Sequence, residues 1–349
     1  MSEVSVTRLR VVQCGTGNIG MRALREVIRH PELTLVGVQV YDTAKDGVDA
    51  GVLCGEPPVG VVATTDPAAI RSVEADCALY MPSALDLDHV VALLESGTNV
   101  VTTRGELFAG GSRLGDERTR VLEACERGAS SIYATGSSPG FITDALPLAL
   151  LSLQRRVELV EIEEFANLSR RDSPALLFEL MGFGRPLESF DARRSSYLLG
   201  EFGPPLGVLM EAAGTPVEEW QCIGEVAAAR HATSIVAGDI DAGSVAAQRT
   251  TITGSRGGAD VVRFTASWYC TADLDPAWDL LPTGWRVRVC GDAPLDVQLE
   301  FPIALEDLGS FTPAYTANRP VNAIPFVCAA PPGILATADL PPITPGGPR

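Results

Sequence analysis

The chain has 349 residues, enough for two domains of ordinary size, and 46% of them are hydrophobic, as in a typical globular protein. Its 27 Lys and Arg against 44 Asp and Glu give a formal net charge of −17, which argues against nucleic acid or an anionic membrane as a partner, because both attract clustered positive charge. The start of the chain lacks the pattern of a secretory signal, and its longest apolar run, residues 145–153, is too short to span a membrane.

Cysteine and histidine usage gives no sign of a metal centre. The eight cysteines contain no C-x-x-C pair, and the three histidines, His30, His89 and His231, lie far apart in the sequence. Scattered free cysteines are typical of proteins that stay in a reducing compartment. The sequence therefore predicts a cytoplasmic protein without a bound metal.

Strand and helix patterns alternate through roughly the first 140 residues. Short apolar runs typical of buried strands cover residues 9–14, 33–41, 77–81, 99–103 and 131–135. Helical spacing of apolar residues follows the first strand and recurs over residues 90–94 and 118–127. This alternation favours a parallel sheet with right-handed crossovers, so we predict an α/β domain of the Rossmann type.

A glycine-rich loop follows the first strand at once and opens the first helix. Its residues are Gly15, Thr16, Gly17, Asn18, Ile19 and Gly20, in the pattern G-x-G-x-x-G. In dinucleotide-binding folds the first glycine allows a tight turn, the second lets the pyrophosphate approach the backbone, and the third lets the helix pack against the strand. Unpaired N–H groups at the helix start also attract phosphate. We therefore predict that these six residues bind a dinucleotide, rather than forming a purely structural glycine turn.

Two charged residues after the second strand bear on which dinucleotide is bound. Asp42 lies about 20 residues beyond the last glycine, where a carboxylate can bond the ribose hydroxyls of NAD. Lys45 is instead suited to the 2′-phosphate of NADP. These signals conflict, and either residue could equally be a solvated loop charge; we predict NADP, with NAD accepted.

The loops after the later strands are predicted to complete the cofactor cleft, because ligands of such sheets bind beyond the carboxyl ends of the strands. This rule places Pro82, Ser83 and Thr103 along the cleft. Gly136 and Ser138 lie in the stretch TGSSPGF, whose small residues let the backbone come close to a ligand. We predict that all five contact the cofactor, and that the TGSSPGF stretch also crosses between domains.

The pattern changes after about residue 155, where strands with alternating apolar and polar residues replace buried ones. Strands are predicted over residues 157–165, 220–229, 244–254, 260–270, 284–290 and 295–301, with hairpin turns at 254–258 and 291–292. Helical segments are predicted near residues 175–181, 195–213 and 319–330. We expect a mainly antiparallel α+β domain over residues 144–312, for substrate binding and dimerisation, and assign residues 1–143 and 313–349 to the Rossmann domain.

Four segments of the sequence together resemble one family. They are VVQCGTGNIGMRALREVIRHPELTLVGVQVYD, VVTTRGELF, MGFGRP and TANRPVNAIPFVCAAPPGI. The family is that of 2,4-diaminopentanoate dehydrogenase and the native amine dehydrogenases, many of them described as dihydrodipicolinate-reductase-like. The resemblance implies a homodimer of two-domain subunits whose last helix returns to the Rossmann domain. It also implies interconversion of an amine with a ketone and ammonia, with hydride moving to or from the nicotinamide.

The resemblance assigns the catalytic acid to Glu106, just after the strand at residues 99–103. Chemistry gives a separate reason to want a carboxylate there, because one carboxylate can take a proton from ammonium and return it to the departing hydroxyl. Its negative charge would also stabilise the iminium that accepts hydride. We expect burial in a cleft to raise the pKa of Glu106 toward neutrality. The alternative is a surface glutamate in a glycine-flanked loop.

Substrate contacts are expected from segments that match the family's pocket. Asn167 is expected to bond the amine or carbonyl, and the apolar residues expected to form a pocket for a small ketone are Phe141, Phe165, Met181 and Phe183. For each apolar residue, plain core packing is the competing interpretation. Asn322, in the VNAIP stretch, is expected to meet the nicotinamide carboxamide, or alternatively to cap the final helix.

These observations favour an NAD(P)-dependent amine dehydrogenase that reversibly aminates small ketones or aldehydes with ammonia. Dihydrodipicolinate reductase activity is not expected, since the sequence contains no His-His pair of the kind on which that family relies. The alternatives are an imine or carbonyl reductase that uses no ammonia, and a non-catalytic sensor of dinucleotides. A sensor would have no need of a proton-transferring group such as Glu106.

Overall fold

The computed structural model describes residues 8–187 and 192–346. In chain order the strands are β1 (Leu9–Cys14), β2 (Leu33–Gln39), β3 (Ala63–Thr64), β4 (Cys77–Tyr80), β5 (Asn99–Thr102), β6 (Ser131–Ala134), β7 (Val157–Asn167), β8 (Glu219–Ala229), β9 (Thr233–Ile235), β10 (Gly238–Ile240), β11 (Val245–Arg256), β12 (Ala259–Tyr269), β13 (Leu274–Asp275), β14 (Gly284–Gly291), β15 (Leu295–Glu300) and β16 (Gly333–Leu335). The helices are α1 (Asn18–Arg29), α2 (Ala50–Cys54), α3 (Pro67–Arg71), α4 (Leu87–Glu95), the short and irregular α5 (Phe108–Gly111), α6 (Glu117–Gly128), α7 (Leu146–Leu151), α8 (Ala192–Ala212) and α9 (Leu308–Cys328).

The chain divides into two compact units, one of residues 1–141 and 313–349 and the other of residues 142–312. In the first unit every strand pairing is parallel, and the strand order is β3-β2-β1-β4-β5-β6-β16. The order of its first six strands is that of a dinucleotide-binding sheet, in which the sequence order of the strands reverses between β1 and β4. The predicted Rossmann fold is confirmed, and the glycine loop lies at the point where the strand order reverses, which is where sheets of this kind bind their ligands.

Two apolar clusters cover the faces of this parallel sheet. On one face, α1 buries Ala23, Leu24 and Val27. Val27 follows the other two by four and three residues, which puts all three on one side of the helix. The C-terminal half of α9 buries Val321 and Ile324 in the same cluster. The other face is covered by a second cluster, to which α4 and α6 contribute. Because helices cover both faces of the sheet, its strands are buried on both sides, which explains their continuous apolar runs in the sequence.

The second unit contains a sheet in the order β13-β8-β11-β12-β7-β14-β15. Its pairings are antiparallel except for that between β7 and β12, which is parallel. The predicted hairpins are present between β11 and β12 and between β14 and β15. Phe202 of α8 stacks on Phe264 of β12, with ring centroids 4.4 Å apart. The predicted, mainly antiparallel α+β fold of this unit is confirmed.

Several elements depart from the sequence prediction. The last helix begins at Leu308 rather than near residue 319 and has Pro313, Pro320 and Pro325 within it. Pro313 lacks a backbone donor and weakens the local helical signal of the first part, whereas in the folded chain packing sustains the helix through its prolines. The sequence also gave no indication of the edge strands β3 and β16, which have two and three residues and carry little periodicity of their own.

Candidate cofactor and active site

The glycine loop is fixed by close contacts at two of its three glycines. Gly15 has a φ of +91°, and a Cβ there would stand 2.7 Å from the carbonyl oxygen of Met81. At Gly20 a Cβ would stand 2.1 Å from the carbonyl oxygen of Gly15. Any side chain at either position would force β1, α1 and the end of β4 apart, so both glycines are required by the fold itself.

Gly17 is different, because nothing in the protein requires it to be a glycine. Its φ is −71°, and a Cβ built there would have no atom within 4 Å. Open space at this position is what a bound pyrophosphate would use. Gly17 is the N-cap of α1 and offers no side chain to its first N–H groups, and the first turn of α1 carries no acidic residue, so those N–H groups can receive an anion.

The three remaining residues of the loop have distinct environments. The Thr16 side chain is largely buried, Ile19 packs against the core beneath the sheet, and Asn18 is exposed. The Oδ1 of Asn18 accepts a long hydrogen bond, 3.4 Å, from Nε of Arg22 one turn later in α1. The loop therefore presents its backbone and one exposed amide, while two of its side chains anchor it.

The loop after β2 brings one cation onto the glycine loop. Nζ of Lys45 donates to the carbonyl oxygen of Thr16 at 2.8 Å and lies 3.3 Å from its hydroxyl. Asp42 is exposed, and its Oδ1 accepts from the backbone N–H of Ala44 at 2.9 Å. Lys45 and Asp42 thus lie at the predicted end of the dinucleotide, with Lys45 tethered and the second oxygen of Asp42 open.

The predicted residues after β4 and β5 lie at the same edge of the sheet. Pro82 is buried beside Gly15, and Ser83 is exposed immediately after it. Thr103 is half-buried at the end of β5. The neighbouring Thr102 hydroxyl donates to the Tyr80 carbonyl oxygen at 2.6 Å, which ties the ends of β4 and β5 together.

Glu106 is held in a two-point ion pair with Arg104. Nε of Arg104 donates to Oε2 of Glu106 at 3.1 Å, and Nη2 donates to Oε1 at 2.5 Å. The remaining terminal nitrogen, Nη1, donates to the carbonyl oxygen of Ser83 at 2.7 Å. The side chains of Arg104 and Glu106 are 22% and 31% exposed, so the pair is reachable from solvent but not surrounded by it.

The expected rise in the pKa of Glu106 is wrong. Burial does raise the pKa of this carboxyl, but the hydrogen bonds from Arg104 and from the backbone N–H of Glu106, with the charges of Arg104 and Arg113, lower it by more. The net pKa lies below the ordinary value of 4.5. Glu106 is therefore an anion at neutral pH, a form suited to accepting a proton and to standing beside a cation.

The loop after β6 contributes a buried hydroxyl. Oγ of Ser138 is buried and meets no hydrogen-bond partner among the described residues. An unmet buried hydroxyl costs about 1–3 kcal/mol, so a bound ligand or water at this point is favourable. Gly136 is buried close by, and a Cβ on it would lie 3.0 Å from the Pro139 carbonyl oxygen. Together with Gly17 and the open start of α1, this orphaned hydroxyl fits a dinucleotide site.

Helix α9 carries Arg319, which contacts this loop, and Asn322. Nε of Arg319 donates to the Thr135 hydroxyl at 2.8 Å, and its guanidinium lies 5.8 Å from the ring centre of Phe141. Asn322 is half-buried in the middle of α9 and makes no side-chain hydrogen bond with the described residues. The alternative that Asn322 caps the final helix is therefore wrong, because the helix begins 14 residues earlier, at Leu308.

The other predicted substrate residues lie in the second unit, and they differ in exposure. Phe165 is buried, and Phe183 is only 1% exposed within a cluster that includes Leu177, so core packing accounts for both. Met181 is partly buried at the margin of this cluster. Oδ1 of Asn167 accepts from the backbone N–H of Ser169 at 3.0 Å, which leaves its amide nitrogen for another partner. Core packing therefore does not account for Met181 and Asn167 as it does for the two phenylalanines.

The described ranges contain neither a cluster of metal ligands nor a membrane-spanning helix. Nowhere in residues 8–187 and 192–346 do three His, Cys, Asp or Glu side chains converge as metal ligands. The same ranges contain no helix long and apolar enough to cross a membrane. Nδ1 of His231 lies 2.6 Å from Oδ2 of Asp273 on an exposed part of the second unit.

Two residues that sequence reasoning missed are Arg104 and Arg319. Both lie within quoted family segments, VVTTRGELF and TANRPVNAIPFVCAAPPGI, but neither stands at a spacing that indicates its partner. Residues i and i+2 do not face each other on a helix, so the pairing of Arg104 with Glu106 depends on the turn between them. For Arg104, the only sign in the sequence of this ion pair is that a cation stands two residues before Glu106.

No family model matches the chain, but individual proteins are similar to it. An amine dehydrogenase from Streptomyces virginiae is 28% identical over 350 aligned positions, which cover 95% of this chain and 96% of that protein. A 4-hydroxy-tetrahydrodipicolinate reductase from Methanopyrus kandleri is 32% identical over 133 residues, 37% of this chain and 46% of that protein. The similarity to the amine dehydrogenase therefore extends through both units, and that to the reductase does not.

The fold is also found in a solved structure of an amine dehydrogenase from Mycobacterium smegmatis. It is 19% identical, has a TM-score of 0.76, and the match covers 96% of this chain and 97% of that one. At this identity the likeness bears on the fold alone. Taken with the sequence similarity to the Streptomyces protein, the predicted resemblance to amine dehydrogenases is confirmed over nearly the whole chain.

Proposed function

We propose that this protein is an NAD(P)-dependent amine dehydrogenase that reversibly converts small ketones or aldehydes and ammonia into amines. The observation that carries the proposal is Glu106, an ionised, partly buried carboxylate beyond the carboxyl end of β5 in a dinucleotide-binding sheet. Full-length similarity to a protein described as an amine dehydrogenase supports the choice of substrate class. The bound nicotinamide supplies or takes the hydride.

The charge of Glu106 suits each step of reductive amination. Its carboxylate accepts one proton from ammonium, and the ammonia released forms a C–N bond to the carbonyl carbon. A second proton passes from the newly bonded nitrogen to the carbonyl oxygen, which becomes a hydroxyl and leaves as water when Glu106 returns its proton. The iminium that remains is stabilised by the regenerated anion until hydride reduces it. Ketone, ammonium and hydride thus give amine and water, with Glu106 unchanged.

Ammonium dependence is the test that separates this function from its nearest alternative. Oxidation of NADPH or NADH with cyclohexanone is measured with and without ammonium chloride, with sodium chloride at equal ionic strength as the control. We expect turnover only with ammonium. Equal turnover without it would establish an imine or carbonyl reductase, and tight dinucleotide binding without turnover on any amine or ketone would establish a sensor.

For the cofactor we propose NADP, with NAD accepted. The ammonium of Lys45 supports NADP, because it is held on the glycine loop by Thr16 and has a third N–H available for phosphate. The open carboxylate oxygen of Asp42 supports acceptance of NAD, because it can bond ribose hydroxyls.

Opposite responses are expected from the two charged residues. Lys45→Ala is expected to raise KM for NADPH about tenfold and that for NADH less, since a charge-assisted hydrogen bond is worth about 1.5–3 kcal/mol. Asp42→Ala is expected to raise KM for NADH more than KM for NADPH, and so to shift the preference toward NADPH. Steady-state kinetics with both cofactors measures this, and Asp46→Ala, whose carboxylate instead accepts from the Thr65 N–H at 2.7 Å, is the control. Equal losses for both cofactors in Lys45→Ala would contradict a 2′-phosphate role.

A homodimer and a cytoplasmic location complete the proposal. The wide, mainly antiparallel sheet of the second unit supports self-association, and the free state of all eight cysteines supports a reducing compartment. Light scattering coupled to size-exclusion chromatography tests the dimer, which a mass of 36.8 kDa, that of one chain, would contradict.

A further inference from the structure

Arg104 has no role in the chemistry proposed above, yet it donates hydrogen bonds directly to Glu106. All three of its guanidinium nitrogens donate, to the Glu106 carboxylate and the Ser83 carbonyl oxygen, which uses three of the five N–H donors. A guanidinium gripping both oxygens of a carboxylate fixes its plane as well as its position, which an ammonium cannot do.

The backbone of Arg104 is itself held firmly. Its N–H donates to the Thr102 hydroxyl at 3.0 Å, and that hydroxyl donates in turn to the Tyr80 carbonyl oxygen. Arg104 therefore stands on the ends of both β4 and β5, directly before the turn Gly105–Leu107 that carries Glu106. Because Arg104 is tied to both strand ends, it holds the Glu106 carboxylate at a fixed position relative to the edge of the sheet.

We propose that Arg104 is a positioning residue for Glu106, which it holds in one orientation and in the ionised form at the edge of the dinucleotide-binding sheet. The inference rests on the proposed function for its catalytic meaning. The control of the Glu106 carboxylate by the Arg104 guanidinium depends only on the contacts between these two side chains.

The sign of the effect follows from the charged groups that act on Glu106. They are Arg104, which bonds it, and Arg113, whose charge acts at longer range. Both lower the pKa of Glu106, and burial opposes them. Without Arg104, burial is opposed only by Arg113 and the Glu106 backbone N–H, so the pKa of Glu106 rises. At low pH a larger share of the carboxyl is then already protonated and unable to accept a proton.

Arg104→Gln is therefore expected to shift the acidic limb of the pH profile of kcat/KM to higher pH. Its kcat is expected to fall about tenfold to a hundredfold, since a misplaced catalytic group costs up to about 10²-fold. Arg104→Lys, which keeps the charge without the two-point grip, is expected to restore most of the pH profile and less of kcat.

A direct titration tests the inference without relying on turnover. Glutamate labelled with ¹³C at the side-chain carboxyl is introduced, and the Glu106 resonance is assigned by its loss in Glu106→Gln. The pKa of Glu106 is then compared in the wild type, Arg104→Gln, Arg104→Lys and Arg120→Gln. The last is the control, because Arg120 forms an exposed ion pair with Asp88 in the same unit. Thermal melts establish that each variant is folded.

We expect a higher pKa of Glu106 in Arg104→Gln, a smaller rise in Arg104→Lys and no change in Arg120→Gln. An unchanged pKa in folded Arg104→Gln would overturn the inference, as would a raised pKa with a wild-type pH profile and kcat. A raised pKa in a protein that turns over no amine would uphold the control of Glu106 by Arg104 and overturn the proposed function instead.

Discussion

Replacing Glu106 with glutamine is expected to lower kcat for reductive amination by about 10²- to 10⁴-fold, the usual contribution of a positioned proton-transfer group. The amide keeps the size of the side chain and one oxygen acceptor for Arg104, but it cannot take a proton from ammonium or offset the charge of an iminium. Binding of the dinucleotide should be nearly unchanged, because the glycine loop that is proposed to hold it is intact.

The measurement combines initial rates with cyclohexanone and ammonium and a fluorescence titration of NADPH binding. Glu123→Gln is a matched control, since Glu123 is also paired with an arginine, Arg127 at 3.3 Å, but on an exposed helix surface. It should retain wild-type rates. A Glu106→Gln enzyme with full activity would remove Glu106 from the mechanism and with it the observation that carries the proposed function.

The glycine loop yields the second large effect, and it should separate folding from binding. Gly20→Ala is expected to destabilise the protein by about 1–3 kcal/mol or more, because its Cβ would stand 2.1 Å from the Gly15 carbonyl oxygen. Gly17→Ala should leave stability nearly unchanged, because its φ of −71° is ordinary and no atom lies within 4 Å of the new Cβ. The same methyl group would occupy the space needed for a pyrophosphate, so NADPH affinity should fall about tenfold or more.

Thermal denaturation with and without NADPH distinguishes the two substitutions. Gly17→Ala should melt as the wild type does without ligand and lose most of the stabilisation that NADPH gives. Gly207→Ala in α8 is the control, since the nearest atom to its Cβ is 3.8 Å away, and it should be neutral or slightly stabilising. Normal NADPH stabilisation of Gly17→Ala would argue against a pyrophosphate on this loop.

The parallel sheet and the glycine loop could be predicted from sequence because their signals are local. Apolar runs, turn residues and helical spacing each lie within about a dozen residues, and the order strand, loop, helix fixes the loop's place in the fold. The α+β character of the second unit followed in the same way from alternating strands and glycine hairpins. Identifying Glu106 needed the family resemblance, since a glutamate in a glycine-flanked loop is unremarkable in itself.

What the sequence could not supply depends on residues that only the folded chain brings together. β16 pairs with β6 about 200 positions away along the chain, and Lys45 meets Thr16 across two strands. Asn322 lies in a helix that runs through its own prolines because packing outweighs their local preference.

Glu106 shows most clearly what the sequence determines and what only the tertiary structure decides. The sequence by itself determined that a carboxylate follows a buried strand of a dinucleotide-binding sheet, and it suggested a raised pKa from burial. The tertiary structure decided the opposite direction, because the turn Gly105–Leu107 places the Arg104 guanidinium on both oxygens of Glu106. Electrostatic balance depends on distances of a few ångströms between side chains, and those distances are set by the turn and the sheet edge rather than by the order of residues.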